Sequence, residues 1–269
     1  MVIPFIKAHG AGNDFLLTFV ADVDAAADLP AIARAICERH TGMGGDGWML
    51  VDPTRAADRD ATIRLFNADG SEPELSGNGT RCAAALLASR GHARTMMRIA
   101  TGAGVKELRV IDHEKQTWRF EMNMGQPHAA PEHIRYMLPL CAGALEVTIV
   151  DVGNPQCVVL SKQFPPPEWR ATGAEIERHA LFPKRTNVSF VHVRDEHTIE
   201  VLFFERGVGE TLSSGTGSTG AAAAAILRGL AKNPVRVITG AGDLDFRWTD
   251  SAYLTGPAQI VGSGEFFLD

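Results

Sequence analysis

At 269 residues, 45% of them hydrophobic, the chain can bury one large core or two cores of about 130 residues each. Its net charge of −6 offers no basic face for nucleic acid, and no apolar run approaches the roughly 18 residues that span a membrane. The opening MVIPFIKAHGAGNDF has neither a cationic leader nor a sustained apolar stretch, so a soluble, unexported, cytoplasmic protein is expected.

Four cysteines (Cys37, Cys82, Cys141 and Cys157) form no C-x-x-C pair and are expected to be reduced, buried thiols. In chain order, residues 3–8 and 15–20 read as strands around the polar turn 9–14, and 30–40 as a helix with Pro30 in its first turn. A strand at 48–52 follows, then a helix over 78–90, strands 105–111 and 117–125, and a crossing into a second domain near Gly125-Gln126-Pro127. The second half opens with loops. Strands 145–152 and 157–161, a stiff loop at Pro165-Pro166-Pro167, a helix near 172–180 and strands 188–193 and 198–205 come next. After a helix over 217–229, strands 235–240 and 244–248 lead to a returning stretch, 253–257, whose last strand should rejoin the first domain.

One stretch occurs twice. Residues 62–91 and 200–229 overlay at an offset of 138, pairing Phe66 with Phe204, Glu72 with Glu210, Ser76 with Ser214, Gly77 with Gly215, Gly79 with Gly217 and Gly91 with Gly229. Each copy runs strand, polar loop, serine, Gly-x-Gly turn and alanine-rich helix. Two homologous, pseudo-symmetric α/β (α+β) domains are expected, each a mostly antiparallel sheet curled around a central helix. Residues 1–120 with 258–269 would form one and 121–257 the other, with an active site in the cleft between them.

A glycine-rich turn opening a helix leaves backbone N–H groups unpaired, which makes an anion site. Here each site has a hydroxyl at its lip. Two such turns facing one carboxylate suit inversion at the neighbouring carbon: one group removes a proton, the other delivers one to the opposite face, and the helix ends stabilise the charge that builds.

Competing motifs fail on context. Gly42–Gly47 and Gly215–Gly220 both fit G-x-G-x-x-G, yet neither follows a strand directly with an acid about 20 residues beyond, as a dinucleotide site requires. Neither serine lies in G-x-S-x-G or S-x-x-K. Histidines lack ligand spacing and no lysine sits in a repeated loop, so no metal, heme or pyridoxal cofactor is expected.

Seven motifs in order carry a resemblance. They are KAHGAGNDF (7–15), FNADGSE (66–72), SGNGTRC (76–82), GNP (153–155), TNV (186–188), ERGVGET (205–211) and SGTG (214–217). Together the chain resembles the diaminopimelate epimerases, cofactor-independent amino-acid epimerases of lysine and peptidoglycan precursor synthesis. The resemblance implies catalytic positions at Ser76 and Ser214, where the family carries cysteines. It places substrate contacts at Asn13, Asn67, Gly77, Asn78, Asn154, Asn187, Glu205, Arg206, Gly215 and Thr216, with Asn67, Asn154, Asn187, Glu205 and Arg206 on the distal amino-acid end. Arg206 for a carboxylate and Glu205 for an ammonium are complementary chemistry. Two further departures lie near the site: Gly47 stands where the family has glutamine, and Gln156 where it has histidine. The partner implied is a small amino-acid substrate, with a homodimer allowed.

The serines leave the chemistry open. Serine is a good helix N-cap, and an alcohol is a far weaker acid than a thiol of reference pKa about 8.5. A serine base therefore needs an activator, for which Glu72 and Glu210, one per copy, are the candidates. Three functions fit: epimerisation of diaminopimelate or a similar amino acid, a one-sided elimination on a related substrate, and amino-acid binding without catalysis.

Overall fold

The computed structural model describes residues 1–92 and 94–268. The chain divides into two compact units, Met1–Met122 with Gly256–Asp269, and Asn123–Thr255.

The first unit contains β1 (Val2–Gly10), β2 (Asn13–Phe19), α1 (Leu29–Cys37), β3 (Gly47–Asp52), β4 (Ala61–Asn67), α2 (Gly77–Leu87), β5 (Met96–Thr101), β6 (Gly104–Glu114) and most of β7 (Thr117–Gly125). Strands β1 to β7 lie side by side in chain order, with β2–β3 and β4–β5 parallel and β1–β2, β3–β4, β5–β6 and β6–β7 antiparallel. The end of the chain pairs with β1, from Phe267 opposite Val2 to Gln259 opposite His9. Alternation along β3 sends neighbouring side chains to opposite faces. Trp48 and Leu50 join Ile32, Ala33 and Ile36 of α1, whereas Met49 touches Gly79 of α2. Asp28 caps α1, accepting from the Ala31 N–H at 3.1 Å. Every residue of α2 is buried, Arg81 included, and its run of small residues, Cys82–Ala85, allows close packing.

The second unit contains β8 (Tyr136–Leu140), β9 (Gly143–Asp151), β10 (Pro155–Leu160), α3 (Trp169–Glu177), β11 (Asn187–Asp195), β12 (Thr198–Glu205), β13 (Gly209–Thr211), α4 (Gly215–Leu227), β14 (Val235–Thr239), β15 (Gly242–Trp248) and the start of β16 (Ala252–Phe267). Its strand order is β8-β9-β10-β11-β12-β14-β15-β16, with β13 paired to β12. Here β10–β11 and β12–β14 are the parallel pairs. Along β12, Phe203 meets Gly217 of α4 while Phe204 meets Gly173 of α3. The two units thus share one succession of pairings and one division into a buried and an outer helix. The fold is α+β, mostly strands.

Several elements differ from expectation. Strand β8 falls in a segment expected to be loop, and β5 in a stretch for which no element is expected. The turn 9–14 shrinks to Ala11 and Gly12, both at positive φ (48° and 74°), as a tight two-residue hairpin requires. Helix α3 starts three residues early because Trp169, 5% exposed, is anchored in the core. Cys141 is exposed, not buried. Among the described residues no helix is long and apolar enough to cross a membrane.

Candidate active site

The two repeated turns have the same local geometry. Ser76 (φ −127°, ψ 119°) and Ser214 (φ −138°, ψ 125°) are extended N-caps. Each Oγ accepts from the N–H three residues on, Gly79 and Gly217, at 3.1 Å. The glycines are needed for close approach: a Cβ at Gly79 would lie 2.7 Å from Met49 Cε, and one at Gly217 would lie 2.7 Å from Phe203 Cδ1. Serine capping leaves the N–H groups of Gly77 and Asn78, and of Gly215 and Thr216, as helix-terminal donors without intrahelical acceptors. Ser76 and Thr80 also border a cavity of about 450 Å³ that Met49, Leu65 and Leu75 help to line.

Beyond the caps the two serines differ. The Ser214 hydroxyl, 4% exposed, donates to Glu205 Oε2 at 3.2 Å, and Thr211 Oγ1 donates to Glu205 Oε1 at 2.6 Å. Among the described residues no carboxylate accepts from the Ser76 hydroxyl. Glu72 and Glu210, the activators expected from sequence, are committed elsewhere: Arg64 grips Glu72 at 2.9 and 3.0 Å, and Arg170 grips Glu210 at 2.6 and 3.0 Å. The Arg64 hydrogen bond holds the Glu72 carboxyl below its ordinary range. The residue placed to polarise a serine is instead Glu205.

In the first unit, a chain of side chains links two of the expected contact residues. Arg81 donates to Asn78 Oδ1, Asn78 Nδ2 faces Asn13 Oδ1 at 3.4 Å, and Asn13 Nδ2 donates to Asp46 Oδ2 at 2.6 Å. Arg39 bridges Asp46 and Asp14 at 2.8 and 3.0 Å. Burial pushes the Asp14 carboxyl up, but hydrogen bonds from Lys7 and Arg39 outweigh it and leave the group below its ordinary value. Asn67 ends β4 in a loop of its own, donating to Ser71 Oγ at 2.9 Å. Gly47 pairs opposite Asn67, and a Cβ there would lie 2.8 Å from the Phe66 carbonyl oxygen. This backbone has no room for a larger residue at Gly47.

In the second unit, Asn187 is a brace. Its Oδ1 accepts from the Arg206 N–H at 3.0 Å and its Nδ2 donates to the Pro155 carbonyl at 3.3 Å. Buried Glu177 accepts from the Gly207 N–H at 3.0 Å and from Arg178 and Arg185, which fixes the same loop. The Arg206 guanidinium reaches the Lys184 carbonyl at 3.4 Å. Gln156, fully buried, donates to Asn154 Oδ1 at 2.7 Å, and Asn154 Nδ2 lies 3.5 Å from Thr216 Oγ1. Glu177, Asp46 and Thr211 went unmarked in the sequence. Their roles depend on partners brought near by folding, and no spacing rule signals them.

Other nucleophiles and bases are not poised. Burial pushes the Cys37 and Cys82 thiols up to about 12 and Cys157 higher still. His9 is engaged at both ring nitrogens, by Gln259 at 3.1 Å and the Gly12 N–H at 3.4 Å.

Comparison with known proteins adds three findings. The family described as diaminopimelate epimerase matches residues 5–129 and 148–261. The chain is 38% identical to a diaminopimelate epimerase from Moorella thermoacetica, covering 98% of this chain and 99% of that one, and 35% identical to one from Halothermothrix orenii, covering 100% and 99%. In fold it is similar to a hydroxyproline epimerase from Agrobacterium vitis solved with trans-4-hydroxy-L-proline (TM-score 0.74, 14% identity, covering 98% and 92%).

Proposed function

The chain belongs to the diaminopimelate epimerase family, and from that premise we propose that it is a cofactor-independent isomerase that inverts the α-carbon of diaminopimelate or a closely similar amino acid. Ser76 and Ser214 take the places of the family's two thiols. A two-base inversion needs one of these hydroxyls on each face of the α-carbon, with the substrate carboxylate held by the N–H donors of Gly77-Asn78 and Gly215-Thr216. Asn13 would contact the same substrate, and Asn67, Asn154, Asn187 and Arg206 would serve its distal end, Asn187 by shaping the loop, whereas Glu205, expected there from the resemblance, is engaged with Ser214.

The hydrogen bond from Ser214 to Glu205 carries the reading. An isolated alcohol is a poor base for an α-proton, but an alcohol that passes its own proton to a carboxylate as it accepts another needs no free alkoxide. Ser214 with Glu205 is then the base of one direction and Ser76 the acid, the proton that Ser76 gives up being restored from solvent as Glu205 releases its own to solvent.

The same asymmetry favours a second reading, elimination on a related amino acid, for which one base suffices. Incubation with diaminopimelate and related amino acids in D₂O, followed by NMR, separates the cases. Inversion with deuterium uptake supports epimerisation, loss of water or ammonia supports elimination, and binding without exchange refutes both.

A further inference from the structure

Arg81 lies in the second turn of α2, and its side chain is fully buried. Its Nη2 donates to Asn78 Oδ1 and its Nε to the Pro257 carbonyl at 3.3 Å. Among the described residues its Nη1 has no partner and no carboxylate pairs with it. Burial pushes the guanidinium down to about 10, so it remains a cation at neutral pH. Buried charges are ordinarily paired. The equivalent position of the second copy is Thr219, whose hydroxyl donates to the Gly215 carbonyl at 2.9 Å. A charge so placed is not a requirement of the shared fold.

Its one side-chain partner is Asn78, 2% exposed, a residue of the turn whose N–H groups point out of the helix. We propose that Arg81 is a positioning residue for a carboxylate held at the Gly77-Asn78 turn: it fixes the Asn78 amide and supplies the countercharge that the bound anion completes. The class of ligand is a carboxylate whose α-carbon reacts, and to that extent the proposal rests on the function proposed above. The charge also stabilises the enolate-like state, where negative charge grows on that carboxylate. Arg81 makes the Ser76 turn electropositive, while Glu205 makes the Ser214 turn electronegative. This division suits Ser76 as the donor and Ser214 as the base.

The test compares Arg81→Gln, which keeps a donor for Asn78 but loses the charge, with Arg81→Lys, which keeps the charge. Acetate and diaminopimelate are titrated into each full-length protein with the melting temperature as readout, and the KM and kcat of α-proton exchange are measured alongside. Arg81→Gln should bind both carboxylates at least tenfold more weakly, with a larger loss in kcat than in KM, while Arg81→Lys recovers most of the binding. Binding by Arg81→Gln equal to that of the wild type, or equal losses in the two variants, overturns the proposal. If Arg81→Gln does not fold, the wild type with ¹⁵N-labelled arginine decides: the Arg81 Nε signal should move on adding acetate, and an unmoved signal rejects the idea. A wild type that takes acetate at Arg81 but neither binds nor exchanges diaminopimelate would sink the proposed function and leave this inference standing.

Discussion

Ser214 Oγ sits 3.2 Å from Glu205 Oε2 as a hydrogen-bond donor, and Glu205 is held for it by Thr211. Nine residues separate the pair in sequence. The β12–β13 turn folds them together, pairing Glu205 with Gly209.

Glu205→Gln keeps the shape and removes the proton acceptor. The kcat of α-proton exchange should fall by about 10²-fold or more, with KM little changed. A rise in KM at constant kcat would instead place Glu205 at the substrate's distal end.

Loss of each cap should cost stability. Ser76→Ala should destabilise by about 1 kcal/mol in urea unfolding. Ser214→Ala should cost about 1 kcal/mol more, because Glu205 also loses its donor. Equal losses would mean that the Ser214–Glu205 bond adds nothing to folding.

Arg206→Met should weaken binding of a dicarboxylic diamino acid much more than of its one-ended analogue, as measured by calorimetry. The main-chain N–H of Arg206, held by Asn187, is untouched by the change. Equal loss for both ligands would remove the Arg206 side chain from the distal pocket.

Asp14 gives a pH signature. Its folded pKa lies below the ordinary value, so its contribution is complete above the unfolded value of about 3.9 and is lost as pH falls through the folded value. Asp14→Asn should cost about 1.5–3 kcal/mol at pH 7, and the gap to wild type should close in acid. A gap independent of pH would show that the Lys7 and Arg39 contacts are not what Asp14 contributes.

Much of this was legible in the sequence, for identifiable reasons. The strand expected at 198–205 matches β12 at both ends, because its apolar and polar residues alternate with few interruptions. The repeated serines appear as paired N-caps because the Ser-Gly-x-Gly pattern is a local instruction. Elements stabilised from a distance were harder to see. Strand β8 contains Pro139 and exposes Met137, and it exists through antiparallel pairing with β9. The last strand is expected to rejoin the first domain, and pairing with β1 carries β16 through Gly262 and Gly264 to Phe267. Helix α3 opens behind Glu168, at φ 49° with no side-chain cap. No capping signal marks its start. Among the site residues, Glu205 was visible as a binding group but not as the partner of Ser214, and no local pattern marks Arg81 as a buried cation.

The most direct measurement follows LL-diaminopimelate in D₂O by NMR while little of it has been converted. Two hydroxyls acting on opposite faces predict deuterium at the α-carbon of the inverted product, with the remaining substrate unlabelled. Deuterium entering unreacted LL-substrate as fast as it enters product, or no exchange at all, would contradict inversion by Ser76 and Ser214.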